Sequence, residues 1–228
     1  FDIVIPELVA RGLRVIAIDT PGFGQSDVPD FVPTIEDYAK AVLAVLDHLG
    51  LEQVHLAGHH TGALIVTEAA LQFPQRVLSV VLNGPTPFTE AERREWLDWV
   101  DRTERNFVYE PDGSHLMNSF KVRWDFYGPG GDPQLTTRVI AEKFIGYGPF
   151  WYGHHAAFAY DHAAALHRLR HRALILTNSG DLIHQAAQTT REMRPDFAYV
   201  ELDGGTIDIV DQQPAAWADA VAGFIAAG

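Results

Sequence analysis

The sequence predicts an α/β protein built on a parallel sheet with helices on both faces. Two observations carry this expectation. Short apolar runs of strand length alternate with segments of helical periodicity, the pattern of strands joined by helical crossovers. One stretch interrupts that alternation: residues 88–160 are helix-like, broken by loops, and hold 16 of the 25 Phe, Trp and Tyr residues. A chain of 228 residues suits one domain with such an insert, so 1–87 and 161–228 are expected to form the core and 88–160 a helical cap.

Taken in order, Phe1 to Gly12 reads as a helix with a C-terminal glycine. Val15-Ile16-Ala17-Ile18 reads as a buried strand, followed by the loop Asp19 to Asp27. Thr34 is placed to cap a helix running to Leu49, with Tyr38, Val42, Val45, Leu46 and Leu49 on its apolar face. Val54 to Ala57 is the next strand, and Thr61 to Phe73 the helix behind it. Val77 to Leu82 is a strand that ends in Asn83-Gly84-Pro85. After the aromatic stretch, Ala173 to Leu176 and Ala198 to Leu202 read as strands. Pro214 opens the last helix, as helix N-termini allow.

Composition bounds the function. The formal net charge is −13, from 30 acidic against 17 basic residues, which argues against nucleic acid and anionic membrane surfaces as partners. No apolar run approaches the ~18 residues of a membrane span. Cysteine is absent, which removes thiolate catalysis, disulfides and Cys-based zinc sites and fits a cytoplasmic location. Gly22-Phe23-Gly24 lacks the third glycine and the distant acid of a dinucleotide fingerprint. No Arg or Lys cluster near the motifs suggests phosphate recognition, so no cofactor is expected, and the aromatics of the insert favour a small hydrophobic molecule as the partner. A homodimer is compatible with the sequence.

Three segments then carry a resemblance. Val15 to Asp27 contains Asp19-Thr20-Pro21-Gly22-Phe23-Gly24-Gln25-Ser26, Leu56 to Gly62 contains Gly58-His59-His60-Thr61-Gly62, and Gly204 to Pro214 precedes the final helix. Together they resemble the α/β-hydrolase superfamily, from its first long helix to its end. The resemblance implies a mostly parallel sheet and a helical cap where the aromatic stretch lies. It also implies a central strand between those at Val15 and Val54, so that about 40 or more residues carrying one oxyanion donor are expected to precede Phe1.

Gly58 to Gly62 occupies the place of the G-x-S-x-G nucleophile elbow, with His60 where a Ser, Cys or Asp would attack. The flanking glycines answer a steric need of the strained turn, and the turn aims the N–H of Thr61 at a developing oxyanion. Neither depends on the central side chain. Asp181, after the strand at Ala173, matches the triad carboxylate, although a turn Asp in Ser-Gly-Asp is also an ordinary loop residue. The catalytic-His position falls on Ile207 counted back from Pro214, or on Thr206 counted from the glycines, and neither is a base. The dehalogenase and epoxide hydrolase branches share the layout but need Asp at position 60.

Three readings stay open. His60 and Asp181 form a rewired dyad that hydrolyses a small ester, lactone or related acyl substrate. Alternatively, the chain is a catalytically degenerate pseudo-hydrolase that binds a small molecule. In the third, the site performs non-hydrolytic acid–base chemistry as a lyase. His59, Trp124, Trp151, His155 and His184 are the other candidates for the pocket, His184 also as a spare base. Neither His59-His60 nor His154-His155 has the carboxylate spacing of a metal site, and no metal is expected.

Overall fold

Four parallel strands lie side by side in the order β1 (Val54–His59), β2 (Val77–Asn83), β3 (Arg172–Asn178) and β4 (Ala198–Leu202). They belong to a computed structural model that describes residues 1–128, 131–146 and 148–228. The helices are α1 (Val4–Ala10), α2 (Ile35–His48), α3 (Thr61–Gln72), α4 (Glu90–Val100), α5 (Ser114–Tyr127), α6 (Pro133–Lys143), α7 (Trp151–Ala159), α8 (His162–Arg168), α9 (His184–Met193), α10 (Ile209–Gln212) and α11 (Pro214–Ala226).

The twofold period of a strand divides its residues between the two faces of the sheet. Val80, Leu82, Ala173 and Ile175 point into one core with Ile35, Tyr38 and Val42 of α2 and Leu64 and Ile65 of α3. Val81, Leu174 and Leu176 point into the other, with Val4 and Leu8 of α1 and Trp217 and Val221 of α11. This is the expected α/β architecture. The α2 cap is also as read: Thr34 accepts from the Asp37 N–H while the Asp37 carboxylate accepts from the Thr34 N–H.

One strand differs from expectation. Val15–Ile18 carries no ladder, and Ile16 is 38% exposed. β1 pairs with β2 alone, so no segment among the described residues lies between β1 and this stretch to supply the backbone partners a strand needs. The following loop is nevertheless ordered around one residue, Asp19: the Gln25 N–H donates to its Oδ2 (3.0 Å) and the Ser26 hydroxyl donates to its backbone carbonyl (2.7 Å).

The aromatic stretch forms α4 to α7. Trp96 of α4 stacks on Phe158 of α7 with ring centroids 5.1 Å apart. Two ionic contacts tie it to the segment before α11: Arg123 of α5 pairs with Asp208, and Arg138 of α6 lies 3.0 Å from Asp211. The Tyr127 hydroxyl also donates to Asp208, and burial with that contact pushes its pKa up to about 12.

Candidate active site

The register explains how the site is assembled. β1 and β3 are separated by β2, so their C-terminal ends stand two strand spacings apart, roughly 9–10 Å. A side chain from each must reach over the end of β2 to meet. His60 follows β1, Asp181 follows β3, and their side chains do meet: Nε2 of His60 lies 2.9 Å from Oδ2 of Asp181. Between them lies Gly84, just past β2, with φ +66°. A Cβ there would stand 2.5 Å from Cδ2 of the His60 ring. Glycine is therefore required twice, by its backbone angle and by the ring that crosses above it.

His60 itself has φ 49° and ψ −111°, and is the one non-glycine residue with positive φ among those described. Such a conformation costs on the order of 1–3 kcal/mol and persists because the surroundings hold it. The His60 N–H donates to the Asn83 carbonyl (2.8 Å), and the His60 carbonyl accepts from the Ala63 N–H (2.8 Å). At Gly58 a Cβ would strike the Gly62 carbonyl, so the first glycine of the motif serves close backbone passage. Thr61 opens α3, where its N–H has no carbonyl behind it within the helix.

Electrostatics fix the state of the pair. The Asp181 side chain is fully buried, and burial alone would raise its pKa. The hydrogen bond from His60, that ring's charge and the Ile183 N–H at 3.1 Å outweigh burial and hold it below the ordinary carboxylate range. An ionised carboxylate accepts only, so Nε2 of His60 is the donor in this contact, and it carries the ring's single proton whenever that ring is neutral. The lone pair then lies on Nδ1, which has no protein partner among the described residues, and the side chain is 28% exposed.

His59 stacks under His60 with ring centroids 4.0 Å apart and planes 11° from parallel. Its Nδ1 faces Asn83 Oδ1 and its Nε2 faces the Ile207 carbonyl, both at 2.9 Å. The Asn83 amide is fixed in turn: Oδ1 accepts from the Trp217 indole and Nδ2 donates to the Leu176 carbonyl. Two acceptors favour a protonated His59. Burial and the neighbouring His60 charge win, pushing its pKa down to about 4, so the neutral ring donates to one acceptor at a time. Ile207 takes part through its backbone, while the Thr206 N–H and hydroxyl are both held by the Gln212 side chain.

A cavity of about 640 Å³ reaches Thr61, the residue after His60, while His60 and Asp181 themselves are not among its lining residues. Thr61 and Ile65 of α3, Tyr38 of α2, and Thr20 and Phe23 of the Asp19 loop line it on the sheet side. Arg123, Phe107, Lys143 and Phe150 line it on the other. The Tyr38 hydroxyl is buried without a hydrogen-bond partner among the described residues. Four of the side chains expected in the pocket lie elsewhere. Trp124 stacks flat on Phe120 along α5. Trp151 lies under Arg105, and His155 packs edge-on against it. His184 lies 3.2 Å from Glu201 of β4 and supplies no base to His60. The cavity is lined instead by Arg123, Phe150 and His154, each one residue away in sequence, because one step along a helix turns the side chain by about 100°. Among the described residues no group of three or more His, Cys, Asp or Glu is placed to hold a metal ion.

Residues 1–151 match the family model described as alpha/beta hydrolase fold. The chain belongs to the α/β-hydrolase family. Among curated proteins it is 33% identical over 141 residues to a dihydrolipoyllysine-residue acetyltransferase component of an acetoin cleaving system from Pseudomonas putida, covering 61% of this chain and 34% of that protein. It is 41% identical over 175 residues to bifunctional epoxide hydrolase 2 of Sus scrofa, covering 62% of this chain and 31% of that one. The chain thus spans about a third of the length of these relatives. Among solved structures it superposes on E-2-(acetamidomethylene)succinate hydrolase with a TM-score of 0.77 at 22% identity, over 98% of this chain and 86% of that one. No helix among the described residues is long and apolar enough to cross a membrane.

Proposed function

We propose that this α/β-hydrolase hydrolyses a small hydrophobic ester, lactone or related acyl compound without a cofactor, using His60 where the fold ordinarily carries a nucleophile. The observation that carries the reading is the 2.9 Å contact between His60 Nε2 and Asp181, which leaves Nδ1 as a free base. Nδ1 takes a proton from water as that water attacks the acyl carbon. Asp181 stabilises the imidazolium that forms, and the Thr61 N–H faces the oxyanion of the tetrahedral intermediate. Collapse breaks the acyl–leaving-group bond, and the imidazolium returns its proton to the leaving group. Products are the acid and the alcohol, and the enzyme is regenerated. Gly58 to Gly62 is on this reading a degenerate elbow, and α4 to α7 act as a cap over the cavity. The epoxide hydrolase likeness supports hydrolysis in general, while His at position 60 sets this chain apart from the Asp that branch uses.

The test is turnover of short p-nitrophenyl esters and lactones by the protein beside His60→Ala. Loss in the variant by a factor of about 10² or more supports the dyad. Equal turnover sinks it. Absence of turnover in both moves the assignment to a small-molecule binder built on the same fold.

A further inference from the structure

We propose that Lys143 is the anion-recognising end of the cavity, so that the hydrophobic molecule bound there carries a carboxylate. The proposal names the substrate class of the hydrolase reading, and its binding test stands without turnover. Four side chains bearing a charged group or an imidazole line the cavity: Glu104, Arg123, Lys143 and His154. Three of them are already engaged. The Glu104 carboxylate accepts from His154 Nδ1 at 2.9 and 3.0 Å, and Arg123 is bound by Asp208. Lys143 makes no hydrogen bond and no ion pair among the described residues. Pro129, Gly130 and Tyr147, which lie outside them, bring no carboxylate.

The ammonium is held in place by rings instead. Nζ lies 4.2 Å from the centroid of Phe150, 5.3 Å from Phe107 and 5.7 Å from Phe144. Such a cage suits a cation, and here the protein's own cation fills it, so the site offers a positive charge rather than seeking one. The ammonium is also partly desolvated: burial lowers its pKa, Glu104 opposes the fall and Arg123 adds to it. An incoming carboxylate would relieve that cost. In a chain of net charge −13, an unpaired cation on a cavity wall is out of keeping with the rest of the molecule. Thr61 lines the same cavity. One ligand therefore has its reactive end at Thr61, its apolar body among the phenyl rings and its carboxylate at Lys143.

Calorimetric titration with 5-phenylvalerate and with 5-phenylpentan-1-ol tests this, since the two differ at the carboxylate alone. The protein is expected to bind the acid at least about tenfold more tightly than the alcohol. Lys143→Met removes that preference and Lys143→Arg keeps most of it, with Lys143→Gln as a second neutral variant should the Met protein fail to fold. Equal affinity for both ligands, no binding of the acid at millimolar concentration, or a preference that survives in the neutral variants overturns the proposal. A protein that prefers the acid yet hydrolyses nothing retains this inference and loses the hydrolase reading. One that hydrolyses esters with no such preference does the reverse.

Discussion

The surroundings of His60 and the far wall of the cavity are built by opposite rules. Around His60 the contacts interlock: Asp181 is bound by His60 and Ile183, His59 by Asn83 and Ile207, and Asn83 by Trp217 and Leu176. His59, Asn83 and Leu176 sit on strands whose spacing is set by backbone ladders, and Trp217 of α11 and the loop residues Ile183 and Ile207 close around them. The far wall comes from α4 to α7 and their connections, where aromatic rings pack edge-on and flat and Lys143 has no ion-pair partner among the described residues. The first region is specified by sheet geometry and tolerates little. The second is specified by side-chain volume, and it can change what is bound without disturbing the strands.

The largest effect is expected where the interlocked region is cut at its centre. Asp181→Asn keeps the shape but removes the charge that stabilises an imidazolium at His60, and turnover should drop by about 10²–10⁴-fold with the fold intact by circular dichroism. Retained turnover would show that the two residues are neighbours without a shared task. Next is Gly84→Ala, which must move the His60 ring and hold a Cβ at φ +66°. It should cost about 2 kcal/mol in chemical denaturation and most of the activity. A stable, active Ala variant would mean that the ring does not need its place above β2.

Acid should reveal the same tightness. Burial first, and for His59 also the His60 charge, pushes the pKa of His59 to about 4 and burial that of His162 to about 3, against 6.5 when unfolded. The unfolded chain then binds more protons, so stability should fall as pH drops from about 6.5 toward 4, by on the order of a few kcal/mol in total. His59→Asn removes one of these groups and should flatten the fall. An unchanged slope in that variant would exclude His59 as a source. The smallest effect is expected from Tyr38→Phe on the cavity wall. Deleting a buried hydroxyl with no hydrogen-bond partner among the described residues should change stability by less than about 1 kcal/mol, in either direction. A larger loss by thermal melting would show that the hydroxyl is bound after all.

The sequence made His60 and Asp181 legible because glycines framed one and a strand preceded the other. Gly84 was hidden, since its role depends on β2 lying between β1 and β3, a fact of spatial order that local pattern does not carry. Trp124, Trp151 and His155 were each one helical step from the cavity-lining residue, because composition marked the helices but not their rotation against the core. The stretch Val15–Ile18 has the composition of a strand, but pairing needs a neighbour that local sequence does not reveal.

The constraint at Gly58 and Gly84 bears on how such a site drifts over generations. At Gly58 a side chain would collide with the Gly62 backbone whatever residue stands at position 60, and at Gly84 the positive φ disfavours a side chain independently of the ring above it. Position 60 carries its burden in the backbone turn, so its side chain is comparatively free to be exchanged. A lineage could therefore trade one reactive group for another while its glycine spacing stays frozen. A saturation library scored for folding alone should show that asymmetry, with tolerance at 60 and depletion at 58 and 84.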